Sequence, residues 1–584
     1  MHVPPRWWGN ILGSGNAVIV PELVVATDNT FRLNANVFDY TIVALYFVVV
    51  LGIGFVAKRQ VSTSLDFFLS GRSLPAWVTG LAFISANLGA VEIMGMSANG
   101  AEFGMATVHY FWIGAVPAML FLGVVMMPFY YGSGVRSVPE FMRRRFGTGA
   151  HLVNALSFAV AQLLIAGINL YLLATIVNRL LGWPLWVSLV AAAVIVLSYT
   201  ALGGLSAAIY NEVLQFFVIV AALLPLTLIA LHKVGGWEGI EARIEAGQLS
   251  SWPGTGLTGI ESPLLSVIGI VFGLGFVLSF GYWTTNFVEV QRALASSSIS
   301  AARRAPIIGA FPKMFIPFIV IIPGIIAAIV VPEIASLKAG DGVGDVKYND
   351  ALLLLIRDLL PNGMLGVAIA GLLASFMAGM AANISAFNAV FSYDLWQQYI
   401  VKDRRDSYYL LIGRLATVAA TIIAIGTALI ASQYSNLMDY LQTLFGFFNA
   451  PLFATFILGM FWKRMTATAG WTGLVSGTLA AVLVAFLAQD SLGSLSIGVL
   501  SLSGQGASFV AAGAAFVVDI AVSIVVSYAT RPKPESELEG LVYSLTPKES
   551  LVDPDEGVVP WHKSPTKLAG VGLVLVIILN LIFR

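Results

Sequence analysis

The chain contains no cysteine in 584 residues, and Asp, Glu, Lys and Arg together make up only 11% of it. The missing thiols exclude a disulfide framework, thiol chemistry and any cysteine-ligated metal. Five scattered histidines without paired spacing give no zinc motif. A soluble domain carries about 25% charged residues. A sequence with less than half of that and 58% hydrophobic residues cannot cover a water-facing surface, so its solvent is in large part a lipid bilayer. Acidic and basic residues balance at 31 each, which gives nucleic acid no basic face to meet. No nucleophile–base pair or cofactor fingerprint falls in an apolar stretch, and the chain reads as a non-enzyme.

What is present is one hydrophobic run after another. A spanning helix needs about 20 mostly apolar residues. On that criterion about fourteen spans are predicted, near 37–57, 78–98, 105–131, 152–178, 184–202, 210–231, 264–290, 307–331, 363–395, 410–432, 438–462, 469–488, 508–529 and 566–583. Residues 1–35 lack the basic region and cleavage site of a secretory signal and read as an external lead-in. The loops with Lys58–Arg59, Arg143–Arg145, Arg303–Arg304, Arg404–Arg405 and Lys463–Arg464 fall on one side if both termini lie on the other. By the positive-inside rule that side is cytoplasmic and both termini are external. The segment "NDALLLLIRDLLP" (349–361) is too short and too charged to span, and reads as an amphipathic helix capping the outer mouth. Residues 530–565 read as a cytoplasmic linker before the last span. No soluble domain of useful size remains, so function must live inside the bundle.

Several polar residues fall where lipid would be expected. Glu92, Glu212, Lys313 and Asp439 lie within spans, with Asn87, Ser279, Asn286, Asn383 and Gln442. A charge at mid-bilayer costs about 2.5–3.5 kcal/mol on insertion scales. Asn and Ser also serve as ordinary helix–helix contacts, and Glu212 and Asp439 sit near span ends. Glu92 and Lys313 lie deeper, and pairing with each other would explain how both are tolerated. In "FISANLGAVEIMGMSANG" (83–100), Asn87-Leu88-Gly89 interrupts a helical run, with Ser85–Gly89 expected to be unwound. "LSFGYW" (278–283) reads as a second interruption about five spans later. Unwound backbone survives in a membrane only when buried in protein or lining a cavity. Two such breaks at matching places suggest an inverted-repeat transporter.

A set of ordered motifs then resembles a known family. "GRSLPAW" (71–77), "ANLGAVEIMGMS" (86–97), "VPEFMRRRFG" (138–147), "YTALGGLSAAIYNEVLQ" (199–215), "YWTTNFVEVQR" (282–292), "DYLQ" (439–442), "FWKR" (461–464), "GLVYSLTP" (540–547) and "PWHKSP" (560–565) are similar to the sodium:solute symporters, in particular their sodium/glucose–galactose cotransporter branch. The resemblance runs from about residue 37 to the end. It implies an all-α membrane protein with a LeuT-type 5+5 inverted-repeat core and discontinuous helices. The expected units are the lead-in 1–35, an additional helix at 36–58, the core at 59–465, further helices in 466–529, the linker 530–565 and a final helix at 566–584.

The family implies alternating access coupled to Na+ and a small-molecule solute as partner; oligomeric state stays open. Its sugar pocket maps onto Glu92, Met96, Ser279, Lys313 and Gln442, with Tyr282 as an aromatic gate and Trp283 beside it. Glu212 matches an acidic residue on a cation exit route. The family's sodium site maps onto the carbonyls of Ser85, Leu88 and Ser375 and onto two adjacent serines, which here become Ala378 and Gly379. A hard cation wants several oxygens, so the loss of two hydroxyls leaves sodium, protons or neither as the coupling ion. Phe111 stands where the cotransporters carry a sugar-bonding Glu, His109 and Gly114 also depart from the pattern, and Glu92 replaces Gln or His. The expected function is a cell-membrane symporter of a neutral polyhydroxylated solute, a hexose such as galactose or glucose, or an inositol. A sodium-independent, proton-coupled carrier or a facilitator is the alternative, and a sugar-binding membrane sensor the non-transport one.

Overall fold

The structure, a computed structural model, describes residues 32–584 except 60–62, 253–256, 259–261, 342–345, 435, 488–503 and 558. Most of the expected lead-in therefore lies outside the described residues. Helices build most of the interior among the described residues. Twelve helices among the described residues are long and apolar enough to cross a bilayer. The bent pair Ala76–Asn87 and Val91–Val108, inclined at 60°, supplies a further broken span, and the shorter Leu185–Ser198 helix stands where another was expected. That short helix runs on toward Gly204–Val234 through a single non-helical residue, Gly204, with φ +55° and ψ −146°. A side chain there would strike Phe67, its Cβ coming 2.6 Å from the Phe67 carbonyl oxygen. Glycine alone accepts both that backbone and that approach.

The first break has a definite cause. The Ala76–Asn87 helix ends as Leu88 takes ψ +45°, and the chain re-enters helix at Val91 after only a few residues. Such a turn frees backbone groups that no lipid can satisfy. Two other helices supply the missing partners. The Asn169 side chain, from Thr148–Leu181, accepts the Ala90 N–H at 3.0 Å. The Ser375 hydroxyl, from Met364–Ala389, donates to the Leu88 carbonyl. Gly89 permits the contact, since a Cβ there would lie 2.9 Å from Asn169 Oδ1 and 3.3 Å from the Gly379 Cα. The unwinding is narrower than expected. Ser85 still sits in regular helix, because every residue up to Asn87 can complete its turn.

The second break is displaced from its expected place. Residues 278–283 are helical: Gly269–Ser279 winds as a wide π-helix and Phe280–Thr285 as an α-helix. The chain leaves the helix at Asn286, with φ −72° and ψ +119°. The Asn286 side chain then accepts the Val288 N–H at 3.0 Å and starts the short helix Phe287–Leu294. Gly and Ser in "LSFGYW" are compatible with helix, whereas an asparagine amide competes for backbone N–H groups and favours an N-cap.

The segment 349–361, expected to be an amphipathic cap, contains the helix Ala351–Leu359, whose residues Ala351 through Ile356 are all buried against neighbouring elements. The 530–565 segment is likewise more than a tether. Leu538 and Val542 are buried, and Arg303, near the start of the Ile299–Val330 helix, pairs with Asp553 at 3.1 Å and Glu556 at 2.6 Å. It forms a strap across the bundle. Hydrogen bonds from Arg303 and then Thr566 hold the Glu556 carboxyl below the usual carboxylate range. A depressed value means that this fastening is present above the ordinary Glu pKa of about 4.3 and is lost as the pH falls through the lower, folded value. Arg303→Ala is expected to release the strap at neutral pH. Amide hydrogen exchange over residues 548–560 should rise in the variant, and in the unaltered chain only on acidification.

Candidate functional site

A cavity of about 80 Å³ lies beside the first break, bounded by both bent segments and by the helices that brace them. Five of its lining side chains are those the sequence singles out for solute: Glu92, Met96, Ser279, Lys313 and Gln442. Tyr282 and Trp283 line it as well. The cavity has room for a few waters and is smaller than the roughly 300–1,000 Å³ of pockets that enclose drug-sized ligands. Its centre is taken up by the protein's own polar groups.

Lys313 is the hub. It comes from the middle of Ile299–Val330 and is 1% exposed. Its Nζ donates both to Glu92 Oε1 and to Asn87 Oδ1. It also lies 4.8 Å from the centroid of the Phe111 ring and 5.3 Å from that of Trp283, within cation–π range. Phe111 therefore acts as a wall for the ammonium. The pairing answers the cost of two charges in a membrane interior: each ion is desolvated, but each keeps an opposite partner. Asn87 continues the chain by donating from Nδ2 to the Tyr282 hydroxyl at 3.1 Å. Tyr282 in turn donates to Glu289 Oε1 at 2.7 Å. Its ring packs against Phe445 at 4.6 Å and edge-on to Trp283 at 5.3 Å. Among the described residues Gln442 is held only by an Nε2 contact to Met438 Sδ at 3.2 Å, and its side chain lines the cavity. Ser279 is admitted by Gly114, where any Cβ would collide with the Ser279 hydroxyl.

Other expectations are placed elsewhere. His109 does not reach the cavity; its Nε2 meets the Ser251 carbonyl at 2.6 Å and its ring lies 4.2 Å from that of Trp252. Asp439 faces Gln505, whose Nε2 donates to it at 2.6 Å, and Gln505 also takes the Tyr110 hydroxyl. Asn436 ties Asn99 and Glu102 into the same polar knot at 3.0 Å each. Glu212 stands outside the cavity lining, in a fully buried ion pair with Arg292 at 2.6 Å.

The corner matched to a cation site is crowded. A Cβ on Gly379 would lie 2.7 Å from Asn169 Oδ1 and 3.0 Å from the Gly89 Cα. The Leu88 carbonyl is engaged by Ser375, and the Ser85 hydroxyl is buried without a partner among the described residues. The oxygens gathered near the break are those of Leu88, Ser375 and Asn169. They suit a hard cation in kind, since all are neutral oxygen donors, but Ala378 and Gly379 bring no side-chain oxygen to it. Asn169, Glu289 and Arg292 escaped the sequence reading. A scan for any amide or charge within the 152–178 and 264–290 spans would have found the first two.

A bundle with a broken helix at an internal chamber that holds charged and amide side chains, braced by a second interrupted segment, is the architecture of a membrane carrier. The match of residues 67–477 to the sodium:solute symporter family model makes the chain a member of that family. It is 29% identical over 466 residues to a sodium/glucose cotransporter of Vibrio parahaemolyticus, covering 77% of this chain and 85% of that one. It is 27% identical over 472 residues to sodium/myo-inositol cotransporter 2 of Oryctolagus cuniculus, covering 76% and 68%. A Na+-coupled sialic acid symporter solved in a substrate-bound outward-open state superposes with a TM-score of 0.70 at 19% identity, over 85% of this chain and 99% of that one. The fold is thus the LeuT-type core with additional helices.

Three variants probe the site as built. Glu92→Leu strands the Lys313 ammonium and should destabilise by about 3–5 kcal/mol. Glu92→Leu with Lys313→Met removes both charges and should recover most of that loss. Thermal unfolding midpoints in detergent read this out, and simply additive losses would contradict the pairing. Asn169→Ala leaves the Ala90 N–H unpaired and should cost about 1–3 kcal/mol, with faster hydrogen exchange confined to residues 88–92.

Proposed function

We propose that the chain carries a neutral polyhydroxylated solute, a hexose such as galactose or glucose or an inositol, across the cytoplasmic membrane by sodium-coupled alternating access. The observation that supports it most is the Lys313 hub. An ammonium, a carboxylate and two amides (Asn87 and Gln442) converge on one chamber whose walls are Tyr282, Trp283 and Phe445. Polyols present hydroxyls at the rim of the ring and C–H groups on its faces, so they need polar groups at the sides and an aromatic surface beneath. The names of the glucose and myo-inositol cotransporters among its relatives favour the same solute class. Solute enters by exchange: its hydroxyls take over the hydrogen bonds that Lys313 now makes to Asn87 and Glu92, and the chamber widens as the knot opens. Tyr282, bonded to both Asn87 and Glu289, closes the path beyond. The distribution of Lys and Arg favours both termini outside.

A second reading, a proton-coupled carrier or a facilitator, has one specific observation in its favour. Ala378 and Gly379 offer no hydroxyl, and the Asn169 amide oxygen occupies the space a Gly379 side chain would need. Uptake into proteoliposomes separates the two. A panel of labelled hexoses, inositols and carboxylates is tested under a sodium gradient, a potassium gradient and a pH gradient. Sodium-driven accumulation of one hexose or inositol is expected, with Gln442→Ala raising its KM about fivefold for one hydrogen bond of about 1 kcal/mol. Accumulation of carboxylates alone would overturn the polyol reading, and equal uptake in sodium and potassium would overturn sodium coupling.

A further inference from the structure

The buried polar region does not end at the solute chamber. From Lys313 the hydrogen bonds run through Asn87 and Tyr282 to Glu289, and every donor in that series points toward Glu289. Glu289 lies on the short Phe287–Leu294 helix that begins at the second break, and it is fully buried. Four ionisable groups face it: Tyr282, Arg292, Lys313 and Glu212. Of the other helices packed against its own, Ala76–Asn87 and Met364–Ala389 carry no ionisable side chain, Ser64–Leu69 carries Asp66, which accepts the Thr63 N–H, and Met127–Gly132 carries Tyr130 and Tyr131, which donate to the Thr284 and Ser296 carbonyls. Two of the carboxylates in this region are matched by cations, Glu92 by Lys313 and Glu212 by Arg292. Three carboxylates against two cations leave one in excess, and Glu289 has no cation of its own. Its Oε1 accepts from Tyr282, while Oε2 has no hydrogen-bond partner among the described residues; neither has the neighbouring Asn286 Nδ2.

An uncompensated carboxylate in a membrane interior is expensive, and neutralisation is the ordinary way to avoid the cost. Asp519 shows the contrast: it is also buried within the bundle, but both of its oxygens accept hydroxyl hydrogen bonds, from Thr455 at 2.7 Å and Ser523 at 3.1 Å. Among the described residues Glu289 alone combines an empty oxygen, an excess negative charge and a direct bond to Tyr282.

We infer that Glu289 is a proton-binding site that couples proton occupancy to the Tyr282 gate. The proton is taken from water reaching the chamber, binds at the free Oε2, and leaves as the same ion to the opposite aqueous phase; no covalent bond other than O–H is made or broken. Protonation turns the Tyr282–Glu289 bond from a charge-assisted one into a neutral one of about half the strength. The proton-loaded form therefore releases Tyr282 more readily, and by the same linkage the open gate holds the proton more tightly, so re-forming the Tyr282–Glu289 bond on closure lets the proton go. The coupling is reciprocal, so gate position also sets proton affinity. This inference rests on the transport reading for its biological meaning, but its test needs no substrate.

The test is an infrared pH titration of the purified full-length chain in sodium-free buffer, from about pH 5 to pH 9, read in the protonated-carboxyl carbonyl region. The spectrum of the unaltered chain minus that of Glu289→Gln should contain one protonated-carboxyl band that disappears as the pH rises. Glu289→Asp should retain such a band. Tyr282→Phe removes a donor to the carboxylate and disfavours its charged form, so its band should disappear at higher pH than in the unaltered chain. A difference spectrum without a protonated-carboxyl band overturns the inference, and an unchanged midpoint in Tyr282→Phe overturns the coupling to the gate. The band should persist on adding sodium at constant pH; its loss would show that sodium displaces the proton, and would overturn a gate set by proton occupancy. If no member of the uptake panel is carried, the solute reading fails while these spectra are unaffected.

Discussion

A helix that stops halfway across a bilayer leaves backbone groups that lipid cannot bond, and the arrangement of this protein's interior follows from how those groups are answered. At Leu88–Gly89 the answer comes from two other helices: Asn169 takes the Ala90 N–H and Ser375 takes the Leu88 carbonyl. This ties three spans at one depth. It also fixes the direction of Val91–Val108, and with it the place where Glu92 enters the interior. Gly89 and Gly379 are glycines because the two backbones and the Asn169 amide meet there without room for a Cβ.

Once Glu92 is placed, the buried charges organise around it. Lys313 can be carried in the middle of Ile299–Val330 because Glu92, Asn87 and two aromatic faces surround its ammonium. A pair of this kind adds little net stability, since desolvation offsets most of the attraction. Its use is positional: it holds a set of hydrogen-bonding groups together at one chamber, where in the proposed function they are exchanged for the hydroxyls of a solute. The Asn87–Tyr282–Glu289 bonds link that chamber to the second break, so the proposed solute site and the proposed Tyr282 gate are parts of one network.

Much of this was legible in the sequence, and the residues show why. The spans follow from hydropathy, and twelve full spans with one bent pair and one short helix stand where fourteen were expected. The first break was legible because Asn-Leu-Gly is a poor helix interior set in an otherwise apolar run. The meeting of Glu92 and Lys313 was legible because two deep charges of opposite sign need each other. The second break was misplaced because Gly281 and Ser279 were read as interruptions, whereas the chain turns at Asn286. Asn169 and Glu289 stayed hidden for a different reason. An amide or carboxylate in a span looks alike whether it serves as packing or as function, and only tertiary contact tells which backbone group or gate it touches. The strap over 530–565 was hidden likewise, since its polar composition reads as a linker until Arg303 is seen to hold it.

The account turns on Lys313 exchanging internal partners for those of a solute. The most direct measurement is a cryo-electron microscopy structure in lipid nanodiscs with sodium and the hexose or inositol that the protein accumulates. The account predicts solute density against Tyr282 and Trp283, with Lys313 Nζ turned from Asn87 or Glu92 to a solute hydroxyl and the chamber enlarged. Solute bound elsewhere, with the Lys313–Glu92–Asn87 knot unchanged, would contradict it.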